Sequence, residues 1–349
     1  MVEYKTYTLS DLREWLLHNK NNGLSPDVIN RSRAYAWINN PSGKDEDVVL
    51  VVVFDEYGHP VGYTGAFAED YAEGNVQGRF YWGSTEWLAP EYRGQGIASK
   101  MMDAIKQAVG YYRYFASDSS LASVKLDLRQ GSAVRYYPEY SLKLRKQSSV
   151  KSKVATWYIS LNNERMKKRL NKYPYSIQVM NYVDDETYEF IRSHSEKYLF
   201  LRSQDTYNWL LRFPFVQIVR DGQHLEHYSY DFSDHVDEYE LSVVQVRVNG
   251  NLVGAYFVSQ VNAICTLRYL YYDRNYSNEV FASVSSYMLR PCVDEIRFYG
   301  CELFEFLLKN GLKSLNTKDI YRQIAFTTPG DFKYDEHLAL QGGDGDMFT

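Results

Sequence analysis

Residues 87 to 100, Trp-Leu-Ala-Pro-Glu-Tyr-Arg-Gly-Gln-Gly-Ile-Ala-Ser-Lys, carry the clearest chemical signal in the chain: an apolar strand ends in a glycine loop that opens a helix. Residues 79 to 88 read as the strand and Ile97 to Ala108 as the helix. Glycines let backbone amides approach a ligand closely, and a helix N-terminus carries about half a positive charge on unpaired N–H groups. The chemistry predicted for Gly94 and Gly96 is therefore capture of a phosphorylated ligand. Two common phosphate loops do not fit. A Walker A loop ends in Gly-Lys-Ser/Thr, whereas Ile97 follows Gly96. A dinucleotide fingerprint places its glycines directly after the strand, whereas Pro90 to Arg93 intervene and Ser99 stands where a third glycine would be.

On the strand itself, Glu86 precedes Leu88 by two residues and shares its face. A carboxylate in the apolar and aromatic run Phe80 to Leu88 has its pKa raised by burial, which suits a proton acceptor working through water. A solvent-facing glutamate is the competing reading. His224 and His227 sit in a polar stretch with no third ligand at a recognisable spacing, so no metal site is expected. Gly342 to Thr349 reads as a frayed acidic tail, with a cation trap as the alternative.

The elements around the loop follow from periodicity. Val2 to Tyr7 alternates as a strand, Ser10 caps a helix, and Ser25-Pro26-Asp27 starts another that runs to about Asn39. Val48 to Phe54 and Val61 to Phe67 form a hairpin. Beyond the loop helix, Ser123 to Arg129 reads as a strand, Ala133 to Pro138 as a short helix, and Leu142 to Lys146 with Val154 to Leu161 as a second hairpin.

Arg93-Gly94-Gln95-Gly96-Ile97-Ala98 matches Arg/Gln-x-x-Gly-x-Gly/Ala, and with the Pro-Glu-Tyr before it the chain resembles the GNAT superfamily of acyl-CoA-dependent N-acyltransferases over residues 2 to 161. The resemblance implies a mixed α/β sheet with the order β-α-α-β-β-β-α-β-α-β-β. It implies acetyl-CoA as acyl donor, no metal, and direct attack by a primary amine. It places the pyrophosphate on backbone amides of Arg93, Gly94, Gln95, Gly96, Ile97 and Ala98 beside Ser99, and the pantetheine arm along Trp87 and Leu88. A family pattern like Asn-x-x-Ala-x-x-x-Tyr puts the acid on Tyr137 in Gln130-Gly131-Ser132-Ala133-Val134-Arg135-Tyr136-Tyr137, with Gln130 near the cofactor in place of Asn. Because the chain has 33 tyrosines, a packing role for Tyr137 stands beside the catalytic one.

The second half reads as a worn repeat of the first. Val243 to Tyr256 echoes residues 50 to 63, helices are expected at 184–194 and 204–211, and a strand, helix, strand and helix follow through Lys309. Where the glycine loop should recur, Asp273-Arg274-Asn275-Tyr276-Ser277-Asn278-Glu279 has no glycine and two carboxylates. The division expected is an acyltransferase-like domain over 1–161, a basic linker over 162–174 and a degenerate copy over 175–349. A length of 349 residues, 45% hydrophobic content and no apolar run of 18 residues set the chain among globular proteins. A net charge of −5 without a dense basic run argues against nucleic-acid binding. Three cysteines without metal spacing, and a start lacking a basic-then-apolar pattern, point to the cytoplasm. The acceptor is expected to be a small-molecule or peptide amine, with a homodimer open. The alternatives are a tandem aminoacyl or peptidyl transferase and a non-catalytic acyl-CoA sensor.

Overall fold

The computed structural model describes residues 1–18, 22–145, 150–218 and 235–346. Its first half runs β1 (Glu3–Thr8), α1 (Leu9–His18), α2 (Arg31–Ile38), β2 (Val48–Phe54), β3 (Pro60–Tyr71), β4 (Gly78–Leu88), α3 (Ile97–Val109), β5 (Tyr114–Ser117), α4 (Leu121–Arg129) and β6 (Ala133–Lys143). Helix α5 (Val150–Leu170) leads into the second half: β7 (Ser176–Met180), α6 (Asp185–Ser193), α7 (Gln204–Arg212), β8 (Gln217–Ile218), β9 (His235–Val236), β10 (Tyr239–Val248) and β11 (Asn251–Val261). It closes with β12 (Ile264–Tyr272), α8 (Ser277–Met288), β13 (Glu295–Tyr299), α9 (Cys301–Lys309) and β14 (Tyr321–Thr328).

The apolar run of β2, with six of its seven residues buried, marks a strand covered on both faces. It lies in one twelve-stranded sheet of order β1-β2-β3-β4-β5-β14-β6-β13-β12-β11-β10-β7. Each half contributes an antiparallel meander of four strands and a fifth strand that pairs in parallel, β5 on β4 and β13 on β12. The sixth place in each half is filled by a strand from the other. β14 pairs with β5, β6 pairs with β13, and β6 and β14 pair antiparallel at the centre from Ala133↔Thr328 to Tyr140↔Tyr321. The repeat foreseen in the sequence is therefore present as two topologically matched halves that exchange their last strands.

Tertiary pairing explains where local periodicity misleads. Ala133 to Pro138 is the start of β6, because β14 supplies a ladder along the whole stretch that outweighs local preference; Pro138 stands just outside the β13 ladder, which begins at Glu139. Ser123 to Arg129 is the body of α4, whose N-cap Ser120 accepts from the Ser123 amide and whose Val124 and Asp127 are buried at helical spacing. Of the second expected hairpin, Leu142 and Lys143 end β6 and Val154 to Leu161 lie within α5, while Lys146 falls outside the described residues. The linker expected over 162–174 is largely the C-terminal part of α5, with Met166 and Leu170 fully buried in the second half's core. The boundaries at 161 and 175 thus do not separate two units, because β14 completes the first half. The helix expected from Ser25 begins at Arg31, with Asn30 as its N-cap accepting from the Arg33 amide.

One core is shared by both halves on the sheet face that carries α1, α2, α6 and α7, from Leu12 and Trp37 through Trp82, Phe115 and Phe200 to Tyr207 and Tyr271. The opposite face holds two separate cores: Ile97, Met101 and Ile105 of α3 against the first half, and α5, α8 and α9 against the second. Among the described residues no helix is long and apolar enough to cross a membrane.

Candidate active site

Strand β4 is the element on which the site is built. Thr85 has φ +50°, a left-handed conformation that is an outlier for a β-branched residue, and the β3·β4 register shifts there so that Tyr63 meets Trp87 while Gly65 meets Ser84. This bulge sends Ser84 and Glu86 to opposite faces. Ser84 turns to the shared core, where its hydroxyl accepts from Arg33, whereas Glu86 turns to α4 and accepts from Ser123 Oγ at 2.6 Å. The bulge also twists β4 away from β5: only Tyr81 and Trp82 pair with it, against Tyr114 and Phe115. Beyond Trp82 the two strands splay and leave main-chain groups of β4 without a β5 partner.

The glycine loop closes the open end of this splay. Pro90–Tyr92 make one 3-10 turn, Gly94 and Gly96 take φ +76° and +77°, and Gly96 is the N-cap of α3. Among the described residues, and apart from the adjoining chain itself, no heavy atom stands within 4 Å of where a Cβ on either glycine would be, so the loop borders open space. The loop's own side chains fold back to brace it. Arg93 Nε donates to the Leu88 carbonyl and Gln95 Nε2 to the Glu91 carbonyl, each at 2.9 Å. The first amides of α3 receive no side-chain cap. An anion with several acceptor oxygens fits that cradle, and a slender extended arm fits the splay. Gln130 lies at the end of α4, where its Nε2 donates to the Ser99 carbonyl and Asp103, so it fixes the α3–α4 contact.

At the inner end of the splay lies a cavity of about 510 Å³. Its first-half wall includes Ser84, Thr85, Glu86, Tyr114 and Ser117; its second-half wall includes Arg268, Arg297 and Arg322; Asp346 comes from the C-terminal segment. Burial pushes the Glu86 carboxyl above the usual carboxylate range against the hydrogen bond from Ser123. Nearby, Lys106 and Asp127 form a fully buried ion pair at 2.7 Å between α3 and α4. The Tyr114 phenol, deeply buried, is held well above its ordinary pKa by desolvation. Its hydroxyl sits so close over Gly83 that a Cβ there would lie 2.1 Å from it.

Of the residues expected from sequence, the structure brings together the loop, Trp87, Leu88, Glu86 and Gln130 around β4, α3 and α4. Tyr137 is elsewhere. It lies on β6, not on a helix, and lines a second cavity of about 340 Å³ with Tyr198, Leu267, Tyr272 and Tyr299. The helix that follows β5, α4, contains no tyrosine. Thr85, Tyr114 and Arg33 are the site residues that sequence reasoning passed over; the tail, read first as frayed with a cation trap as the alternative, is buried over residues 342 to 345 and brings Asp346 to the cavity. His224 and His227 fall outside the described residues. Among the described residues no group of three or more potential ligands could hold a metal.

The second cavity occupies the same place in the second half, where β12 and β13 pair only at Ile264–Thr266 before splaying. Its loop has a carboxylate where the first half has glycines: Asp273 Oδ1 accepts from the Asn275 amide at 2.9 Å, occupying a backbone donor of the loop. The C-terminal segment also enters this splay. Gln341 Oε1 accepts from the Leu270 amide of β12 at 2.8 Å, and Gly342 and Gly343 carbonyls accept from Arg268 and from the Tyr269 hydroxyl.

A model of the acetyltransferase (GNAT) family matches residues 9–126. No curated protein matches the chain. Among solved structures, a tandem GNAT protein from the clavulanic acid biosynthesis pathway aligns with a TM-score of 0.53 and 11% identity, over 95% of this chain and 100% of that one. A GCN5-related N-acetyltransferase from Kribbella flavida aligns at 0.51 and 9% identity, over 95% and 72% respectively. At such identities the likeness is one of fold, and the first of these shares the doubled arrangement.

Proposed function

From the premise that residues 9–126 form a domain of the GNAT acetyltransferase family, we propose that the chain transfers an acetyl group from acetyl-CoA to a primary amine by direct attack, with one working site in the first half. The observation that carries this reading is the pairing of an open cradle at Gly94 and Gly96 with the β4/β5 splay. The donor brings an activated thioester carbonyl. Backbone amides from Gly94 to Ala98 hold its pyrophosphate, and the unpaired edge of β4 running through Trp87 and Leu88 takes its arm. The second half has neither an open loop nor a free splay, so it serves as a wall: Arg268, Arg297 and Arg322 close the first-half cavity.

A lysine-like amine with a pKa of about 10.4 is almost wholly protonated at neutral pH and must lose a proton before attack. Glu86, on the cavity wall with its pKa raised, is our candidate acceptor of that proton through water. The departing thiolate needs a proton in return. Tyr137 faces the wrong cavity for this, whereas Tyr114 is the phenol on the first-half cavity wall, and burial keeps it protonated. The test is a screen of primary amines with acetyl-CoA, read by release of free thiol. Amine-dependent thiol release above donor hydrolysis is expected; its absence across amino acids, amino sugars, polyamines and peptide N-termini contradicts the proposal.

A further inference from the structure

The C-terminal segment is locked in place. Ala339 exchanges backbone hydrogen bonds with Lys197 and Leu199, at 2.9 and 2.8 Å. From there, residues 340 to 345 are buried as they pass from the second-half splay to the first-half cavity. At its glycines the passage has no room for a Cβ. A Cβ on Gly343 would lie 2.2 Å from the Tyr269 ring, and one on Gly345 would lie 1.9 Å from Ser117 Oγ. Ser117 Oγ donates to the Asp344 carbonyl at 3.1 Å, and Arg202 reaches the Gly343 and Gly345 carbonyls at 3.3 Å.

What this path delivers is Asp346. Its Oδ2 accepts from Arg33 Nη1 at 2.6 Å and from the Ser84 hydroxyl, which joins α2 and the bulged strand to the tail. Among the described residues, its Oδ1 is buried without a hydrogen-bond partner, and so is Thr85 Oγ1 one residue along the strand from Ser84. Both residues stand on the wall of the first-half cavity. A buried acceptor left without a donor carries an uncompensated desolvation cost, which a ligand donor removes on binding. A primary ammonium offers three donors and a positive charge, the complement of that oxygen.

We propose that Asp346 is the acceptor-binding carboxylate of the first-half site: its Oδ1, with Thr85 Oγ1, receives the protonated amine of the acceptor before deprotonation. This rests on the acyl-transfer reading above. It makes Asp346 a determinant of acceptor choice and selects for amines over alcohols or thiols.

The test uses Asp346→Asn, which keeps an oxygen for Arg33 and Ser84 and removes the charge. Ethylammonium chloride is titrated into the full-length protein while the Asp346 ¹³Cγ resonance, assigned by its loss in the variant, is followed. A saturable shift is expected that ethanol does not cause; no shift overturns the proposal. In turnover with tyramine, spermidine or glucosamine, the variant's KM for the amine should rise at least tenfold with the Kd for acetyl-CoA unchanged. An unchanged amine KM, or equal losses in amine and acetyl-CoA affinity, overturns it. A saturable ethylammonium shift with no acetylation of any amine supports the amine site while refuting acyl transfer.

Discussion

At the scale of single residues, chemistry rests on β4 and its bulge. Thr85 in a left-handed conformation separates Ser84 from Glu86 and gives the strand two functional faces. Such a strained, β-branched residue is retained where the surrounding structure over-determines it and the site benefits. Removing the proton acceptor with Glu86→Gln should lower kcat by about 10²- to 10⁴-fold, the range of general base contributions, with acetyl-CoA affinity unchanged. The base must be ionised and its pKa is raised by burial. Wild-type kcat/KM should therefore fall on the acid side with a midpoint above the ordinary carboxylate range, and that limb should vanish in the variant. Tyr114→Phe should slow turnover by about 10²-fold in single-turnover kinetics while amine and donor binding persist. An unaffected rate would leave water as the proton donor.

Elements show what was legible in the sequence and why the rest was not. The cradle was readable because Arg93 to Ala98 is local: its function lies in backbone conformation that glycine dictates. The second half's loop was readable as closed for the same reason, from Asp273 and the missing glycines. Tyr137 was misplaced because its position depends on β6, and the β6 segment becomes a strand only when β14, nearly 200 residues later, pairs with it. The tail was misread because its burial has no period; its glycines answer to Tyr269 and Ser117, residues far away in sequence. The tail also titrates. Asp344 is pushed up to about 7 by burial, opposed by the Gln341 amide and Arg202 and reinforced by Glu69, with Tyr269 and Tyr71 nearby. Its folded-state pKa exceeds the unfolded value, so the folded state holds the extra proton. The stability it adds is complete below about pH 4 and is lost as pH rises through about 7. Protection factors for hydrogen exchange at residues 339–346, taken against the unstructured rate at each pH, should accordingly fall between pH 5 and 8, and Asp344→Asn should flatten that dependence. Gly343→Ala should loosen the segment at all pH values and weaken amine binding.

For the whole molecule, strand exchange decides what can be separated. Each half lacks its sixth strand without the other, since β14 borders β5 and β6 borders β13. A fragment of residues 1–161 exposes the β5 edge and half of the shared core, and should show no cooperative unfolding transition by circular dichroism, whereas the full chain should unfold in one step. A fragment that melts cooperatively and binds acetyl-CoA would contradict the reading of β14 as integral to the first half. The exchange also explains how a half without a glycine cradle is kept: its strand β14, its arginines and the tail that follows β14 complete the working site.

The central claim is that one acyl donor binds each chain, in the first-half cradle. Calorimetric titration of acetyl-CoA into the wild type should give a stoichiometry of about one per chain. In a Gly94→Glu, Gly96→Glu variant, where carboxylates enter the open space beside the α3 amides, binding should be abolished. An Asn275→Gly, Ser277→Gly variant of the second-half loop should bind as the wild type does. Equal binding in wild type and the Gly94→Glu, Gly96→Glu variant, or none in either, would contradict the account.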